Sequence, residues 1–561
     1  MDKNDQYNAT YSHMIEKILT DIKTQKIAIS QWILGFSGIF FVRFFLEALS
    51  SPTSTGIVPS DPYTIVHYGL FFLVITLGTA ILVGKLTEDY KTSAKFILFG
   101  LPVIWLAPLV DIVMSRGAGF KMTYIFDSGS ELFFDFLTFF GPNLTRGATY
   151  GMRLEIILIL IGIGWYIFWT TKNLSKSILG VIASYVLGFT VGSVPGILYT
   201  ISHLEAGTLS QTLNYFEKVI VQSTINHNTL REGVFSVTSA RFFELGFDKL
   251  MSQILFILSF TFGILLFWKM ETKKFWVVIK NARVERISFY ILLVICGMGF
   301  AYINQLGNPL VWSDSFGIIC LLISWGALWM HAVHANDIAD VEIDRISNSD
   351  RPLIKNEVSS EEMREVGYVW LVLALLGSWC AGFYPFFMSL VYVVASTVYS
   401  SPPLRLRRFP IVSSFLISIA CLATILAGFF FVSVQKQILA FPLLLSVGVI
   451  IMVTLAINVK DMKDIEGDKA EGILTLPILF GENGPRVVGL CFALSLLLAP
   501  IFLAFYALYI IAIQGAIIGY RFIVKKPYRE KPIFVLRFIF LGLVGLSYLG
   551  IYWLAHVYNL V

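Results

Sequence analysis

Long apolar runs, each about the length of a bilayer-spanning helix, recur along the whole chain and are separated by polar segments. They fall near residues 29–49, 64–84, 96–114, 153–170, 177–199 and 252–268, then near 288–305, 316–335, 367–383, 386–400, 412–433, 438–458, 486–504, 506–522 and 535–555. The runs are continuous rather than alternating, which argues against a transmembrane barrel. Each approaches the roughly 20 apolar residues that cross a hydrocarbon core as a helix. The pattern predicts an all-α polytopic membrane protein of about 15 transmembrane helices.

Composition excludes the alternatives. Apolar residues make up 56% of the 561 and charged residues 14%, where a soluble globular chain carries roughly 25% charged residues. Soluble, collagen-like, disordered and disulfide-scaffold classes are therefore ruled out. The polar stretch 1–26 has no apolar core of the kind a cleavable signal peptide carries. All five cysteines lie inside apolar runs of the second half, without metal-type spacing, and read as buried thiols.

Charge is informative through its distribution rather than through its small net value. Most of the 42 Lys and Arg fall in loops of one parity: residues 269–286 hold six, whereas the opposite-parity loop 306–315 holds none. By the positive-inside rule, the N-terminus and the basic loops are expected in the cytoplasm and the C-terminus outside. The basic stretch 269–286 also divides six runs from nine. Upstream, the long loops face outward; downstream, the long polar loops face inward. Two fused modules are expected: a six-helix accessory domain over 1–268, a cytoplasmic linker over 269–286, and a nine-helix domain over 287–561.

The chemistry gathers at the inward ends of two downstream runs. The first carries Asp337, Asp340 and Asp344 after Asn336, and the second carries Asp461, Asp464 and Asp468. Both triads are spaced i, i+3, i+7, which on one helix places all three carboxylates on one face. The offset between them is a constant 124 residues, the mark of an internal pseudo-repeat. One such triad is compatible with a solvated acidic helix end. Two in register, on the side where lysine and arginine otherwise dominate, argue for a site. Six carboxylates repel one another unless cations sit between them, and oxygen ligands suit Mg²⁺, which takes a few carboxylates plus phosphate oxygens. Two facing triads would hold Mg²⁺ ions bridging a diphosphate.

A diphosphate also calls for fixed positive charge. Arg351 follows the first triad, and the loop between the triads reads Tyr-Ser-Ser-Pro-Pro-Leu-Arg from Tyr399, with Arg405, Arg407 and Arg408 at its end. The guanidinium fork grips two phosphate oxygens at once, and the proline pair keeps this loop non-helical.

These segments resemble the UbiA superfamily of intramembrane prenyltransferases over roughly residues 275–561. The first triad fits its NDxxDxxxD motif with a trailing DRPL. The second fits DxxDxxxD followed by GDKAEGILTLPILFG, and the loop from Tyr399 is similar to its YSxPPLRLKR segment. The resemblance implies Mg²⁺-assisted departure of diphosphate from an allylic isoprenyl diphosphate, then capture of the carbocation by a lipophilic or amphipathic acceptor within the membrane. It implies that Asn336, Asp340 and Asp344 hold one Mg²⁺ and that Asp461, Asp464 and Asp468 hold the other. Asp340, Asp461, Asp464 and Tyr399 would act on the reacting group. Asn336, Asp337, Arg351, Arg405, Arg407, Arg408, Lys460, Lys463 and His334 would bind substrate, with Asp337 set back as a supporting group. Membrane lipids are expected around the chain and no nucleic acid is. Two other classes share these features: a non-catalytic lipid-binding protein, and a transporter. Against the first, both triads are complete; against the second, the acids lie at helix ends rather than at mid-membrane.

Residues 1–268 carry no comparable motif. Arg43 and Glu47, at i and i+4 inside the first run, are expected to pair. Asp111 and Arg116 border the third run, and residues 127–153 hold Glu131, Asp135, Arg146 and Arg153 among aromatics, as in a short interfacial helix. Asn8 and Asn143 head glycosylation-type triplets.

Overall fold

The computed structural model describes residues 3–50, 62–116, 124–142, 148–203, 207–223 and 242–557. The Asn143 triplet and Arg146 lie outside them. The regular secondary structure of the described residues is all helical, apart from one isolated bridge between Gly307 and Ser433. Fourteen of their helices are long and apolar enough to cross a membrane. The run expected at 367–383 is the helix Ser360–Ala381, which is not among these fourteen. Its first turns carry Glu361, Glu362, Arg364 and Glu365, and a Ser359–Glu362 capping box starts it in polar surroundings.

Local chemistry interrupts several runs. The third is composite, Tyr90–Gly100, a 3₁₀ turn with Pro102, then Leu106–Met114. The fifth ends at Gly192 and resumes as Val194–His203, whose second residue is Pro195. The basic stretch 269–286 is helical over Thr272–Lys280, followed by a left-handed turn at Arg283 (φ 51°).

The described residues divide into two compact units, one of those up to Gln222 together with 242–272 and one of Ser223 with those from Lys273 onward. In the first, helices Pro62–Thr87 and Phe242–Met270 pack together, as do Tyr150–Thr171 and Leu174–Gly192. Arg43 and Glu47 pair as expected, at 3.1 Å, and Glu155 from helix Tyr150–Thr171 takes the same guanidinium at 3.1 Å. The segment Ser130–Leu137 is a short helix.

In the second unit, helix Pro410–Val432 is central, packed by Val284–Ile303, Phe383–Ser400 and Leu443–Ala456. Glycines set the closest crossing. A Cβ on Gly297 would lie 1.9 Å from the Ile425 carbonyl oxygen, and one on Gly428 would lie 2.0 Å from that of Val294. Where lipid replaces water, such close backbone approach and buried polar contacts hold helices together. Trp325 donates to the Thr424 hydroxyl (3.0 Å) and Ser324 to the Ala374 carbonyl (2.5 Å). The helix Asp314–Ala339 lies against Ser360–Ala381.

Candidate active site

The two acid segments share one backbone design. Helix Asp314–Ala339 carries Asn336 and Asp337 in its last turn, bends at Asp340 (φ −109°, ψ 16°) and restarts as Val341–Ser347. Helix Leu443–Ala456 runs into a 3₁₀ turn, Ile457–Lys463, bends at Asp464 (φ −104°, ψ 9°) and restarts as Ile465–Ala470. The pseudo-repeat is thus geometric: Asp340 and Asp464 sit at equivalent joints with nearly equal torsions. The two short helices that follow pack on each other at Gly467, whose amide donates to Ser347 Oγ (3.1 Å).

The joints correct the expectation of one continuous acid face. Asp337 is turned away, its carboxylate taken by Asn281 (2.8 Å) and Arg283 (2.6 Å). Asn336, Asp340 and Asp344 line a cavity of about 160 Å³ from the first segment, and Asp461 and Asp464 line it from the second. Asp468 does not line it; it accepts from Arg407 Nη2 at 2.9 Å. The 3₁₀ turn before Asp464 advances 120° per residue rather than 100°, so the two triads present different members.

A cationic shell surrounds these carboxylates. Arg407, buried, bridges Asp340 and Asp468, and Arg405 Nη2 lies 3.3 Å from Asp340. Arg351 lines the cavity 3.8 Å from Asp344, and its Nε has no hydrogen-bond partner. Lys460 Nζ donates to Asp461 (2.5 Å) and to the Tyr399 hydroxyl (2.8 Å). Lys463 pairs with Glu530 at 3.3 Å. Asn336 Nδ2 donates to Asp340 (2.7 Å), while Ser400 donates to Asn336 Oδ1 (3.1 Å). Asn348 ties the segments together by donating to Asp344 (2.8 Å) and Asp464 (2.9 Å). Burial pushes the Asp344 carboxyl above its usual range and lifts that of Asp468 to about 6 against the opposing pull of Arg407.

Aromatic side chains line the same cavity, Phe289, Tyr290, Trp329, Tyr392 and Phe534, with Arg286 over the Trp329 and Phe534 rings and Arg537 over Phe534. Tyr290 packs between Trp329 and Tyr392, with ring centroids 5.5 and 5.4 Å away. A cavity lined by both ionic and aromatic side chains suits an amphiphile with an anionic head.

Besides Asp337, three expected substrate contacts are absent from the cavity wall, Arg405, His334 and Arg408. His334 donates to or accepts from no cavity group: its Nδ1 faces the Met330 carbonyl at 2.6 Å, and the residue is buried against Gly367. Arg408 folds back on the Arg405 and Leu404 carbonyls at 3.3 Å and is absent from the cavity wall. Conversely, Arg283, Arg286, Asn348 and Arg537 line the cavity without having been singled out in the sequence. Arg537 was discoverable, as an arginine inside an apolar run.

Among the described residues no three acidic, histidine or cysteine side chains converge closely enough to hold an ion. Arg407 bridges Asp340 and Asp468, and Lys460 pairs with Asp461. The donor set still fits Mg²⁺, since five oxygen-bearing side chains from two segments face one cavity.

Residues 290–544 match the UbiA prenyltransferase family model, and no family model matches the N-terminal half. Chlorophyll synthase of Arabidopsis thaliana is 28% identical over 37% of this chain and 58% of its own length. Digeranylgeranylglyceryl phosphate synthase of Thermococcus kodakarensis is 29% identical over 29% of this chain and 57% of its own. Homogentisate phytyltransferase of Synechocystis is 28% identical over 34% and 62%. The chain thus spans about three-fifths of the curated relatives it matches. A UbiA homolog from Archaeoglobus fulgidus, solved with GPP and Mg²⁺, is 17% identical, covering 48% of this chain and 99% of that one at a TM-score of 0.38. Over residues 290–544, then, this chain is similar to the UbiA prenyltransferase family.

Proposed function

We propose that the second unit is a Mg²⁺-dependent prenyltransferase that moves an isoprenyl group from an allylic diphosphate to a lipophilic acceptor within the membrane. The observation that carries this reading is that two acid segments, a cationic shell and a group of aromatic side chains line one cavity. The sequence relationship to named prenyltransferases supports it.

Asn336, Asp340 and Asp344 would hold one Mg²⁺ and Asp461 and Asp464 the other, with Asp468 joining once Arg407 turns to the diphosphate. When bound, the metal supplies Lewis-acid stabilisation of the departing diphosphate oxygens. Arg351, Arg407, Lys460 and Lys463 would neutralise the rest of that charge. The allylic C–O bond breaks with its electron pair leaving on diphosphate. The acceptor supplies the pair for the new bond and loses a proton. Tyr290, Trp329, Tyr392 and Phe534 would exclude water, and their ring faces favour a positive carbon. Tyr399, held by Lys460, lines the same cavity beside Asp461. Asp337 would act at one remove by anchoring the helix end through Asn281 and Arg283.

The distribution of basic loops supports an orientation with the N-terminus and this cavity on the cytoplasmic side and the C-terminus outside. The test is product formation: purified protein in lipid extract, given allylic diphosphates of increasing length with Mg²⁺ or with chelator, and analysed by mass spectrometry. A Mg²⁺-dependent prenylated product supports the reading and names the acceptor. Donor binding without product in every extract would favour a binding protein on an enzyme fold.

A further inference from the structure

The first unit encloses a cavity of its own, about 220 Å³, bounded mainly by aromatic and aliphatic side chains such as Phe71, Phe96 and Phe140. An apolar cavity of roughly 150 Å³ holds a benzene ring, so this one admits a substituted ring or a short branched chain. Its polar groups are few. Arg43, 3% exposed, reaches the wall but is shared by Glu47 and Glu155 at 3.1 Å each and donates to the Ile104 carbonyl. One guanidinium between two carboxylates leaves no positive charge for an anion. A diphosphate is therefore excluded here, in contrast to the cavity of the second unit.

Of the hydroxyl-bearing residues that line the same space, Tyr124 and Ser184 are the informative ones. Tyr124 lies at the end of a buried chain: Thr64 Oγ1 donates to Asp248 Oδ2 (2.6 Å), His67 Nδ1 meets Asp248 Oδ1 (2.8 Å), and His67 Nε2 meets the Tyr124 hydroxyl (2.7 Å). With a carboxylate at Nδ1, a neutral His67 accepts from Tyr124 at Nε2 and a protonated one donates to it. In either case the Tyr124 oxygen keeps a lone pair that can accept from something in the cavity. Burial, with the nearby Asp248 charge, holds the Tyr124 phenol well above its ordinary pKa, so it stays protonated. Independently, Ser184 Oγ is buried without a hydrogen-bond partner while Ser184 lines the cavity. A buried hydroxyl left unmatched costs free energy unless a ligand meets it.

We propose that this cavity binds a neutral hydroxyl-bearing lipophile, whose hydroxyl donates to Tyr124 and is met by Ser184 while its apolar body fills the aromatic enclosure. This site stands apart from the prenyltransferase reading and does not depend on it.

The test uses full-length protein in nanodiscs of one synthetic phosphatidylcholine, with tritiated 4-hexylphenol as probe and 4-hexylanisole as a matched ligand lacking the hydroxyl. Saturable binding near one per chain, above empty nanodiscs and at least tenfold tighter for the phenol than the anisole, is expected. Tyr124→Phe should remove that preference. Gly188→Leu should abolish binding without unfolding, because a Cβ at this cavity-lining position meets nothing within 4 Å. Should Tyr124→Phe not fold, Ser184→Ala and Gly188→Leu carry the test. Asp464→Asn, in the other unit, should leave phenol binding unchanged. Binding equal to that of empty nanodiscs, or lost in Asp464→Asn and retained in Gly188→Leu, would overturn the proposal.

Discussion

Arg407 is the residue on which the ligand-free arrangement turns. It is buried, and it compensates Asp340 and Asp468 from two different segments. Removing it leaves two buried carboxylates facing each other, so Arg407→Ala should destabilise the protein by about 3 kcal/mol. The double variant with Asp468→Asn should recover part of that loss in denaturant unfolding. Asp468 itself makes a pH-dependent contribution. Its folded pKa of about 6 exceeds the roughly 3.9 of an unfolded aspartate. The penalty for ionising it is therefore full above about 6 and vanishes below about 4. As pH falls from 7 to 5, the melting midpoint of the wild type should rise relative to that of Asp468→Asn. Equal midpoint shifts in both proteins would contradict this assignment. The roles of His334 and Arg408 were not legible in the sequence, because which side of a helix or loop faces the cavity depends on packing. Asn348 was missed for a related reason: it matters only because folding brings Asp464 to its amide.

At the scale of elements, the motif spacing revealed the repeat but not its shape. An i, i+3, i+7 pattern reads as one helical face, whereas each segment bends at its middle aspartate and restarts. That bend lets two short helices pack where Gly467 leaves room. A Cβ there would meet Ser347 Oγ at 2.6 Å and the Ile343 carbonyl oxygen at 2.9 Å. Gly467→Ala should therefore spread the helices, lowering stability by about 1–3 kcal/mol and weakening donor binding, as read by melting and by KM for the diphosphate. Gly326→Ala is the control, since its nearest neighbour would be 3.9 Å away, and should be neutral. The apolar runs were legible because their length and continuity are local properties. The interruptions at Pro102 and near Pro195, and the polar start of Ser360–Ala381, are local too and shift run boundaries rather than fold class.

On the scale of the whole molecule, the positive-inside pattern predicts a sidedness. With native cysteines replaced, Lys355→Cys should label with an impermeant maleimide only from the cytoplasmic side, and Asn304→Cys only from the other. The reverse pattern would invert the orientation.

The central claim is that the paired acid segments act on a prenyl diphosphate, and diphosphate release by purified protein tests it most directly. Release from an allylic diphosphate should require Mg²⁺ and fall at least about 100-fold in Asp340→Asn and Asp464→Asn, with melting behaviour retained. Release that is indifferent to Mg²⁺, or undiminished in both folded variants, would contradict the account.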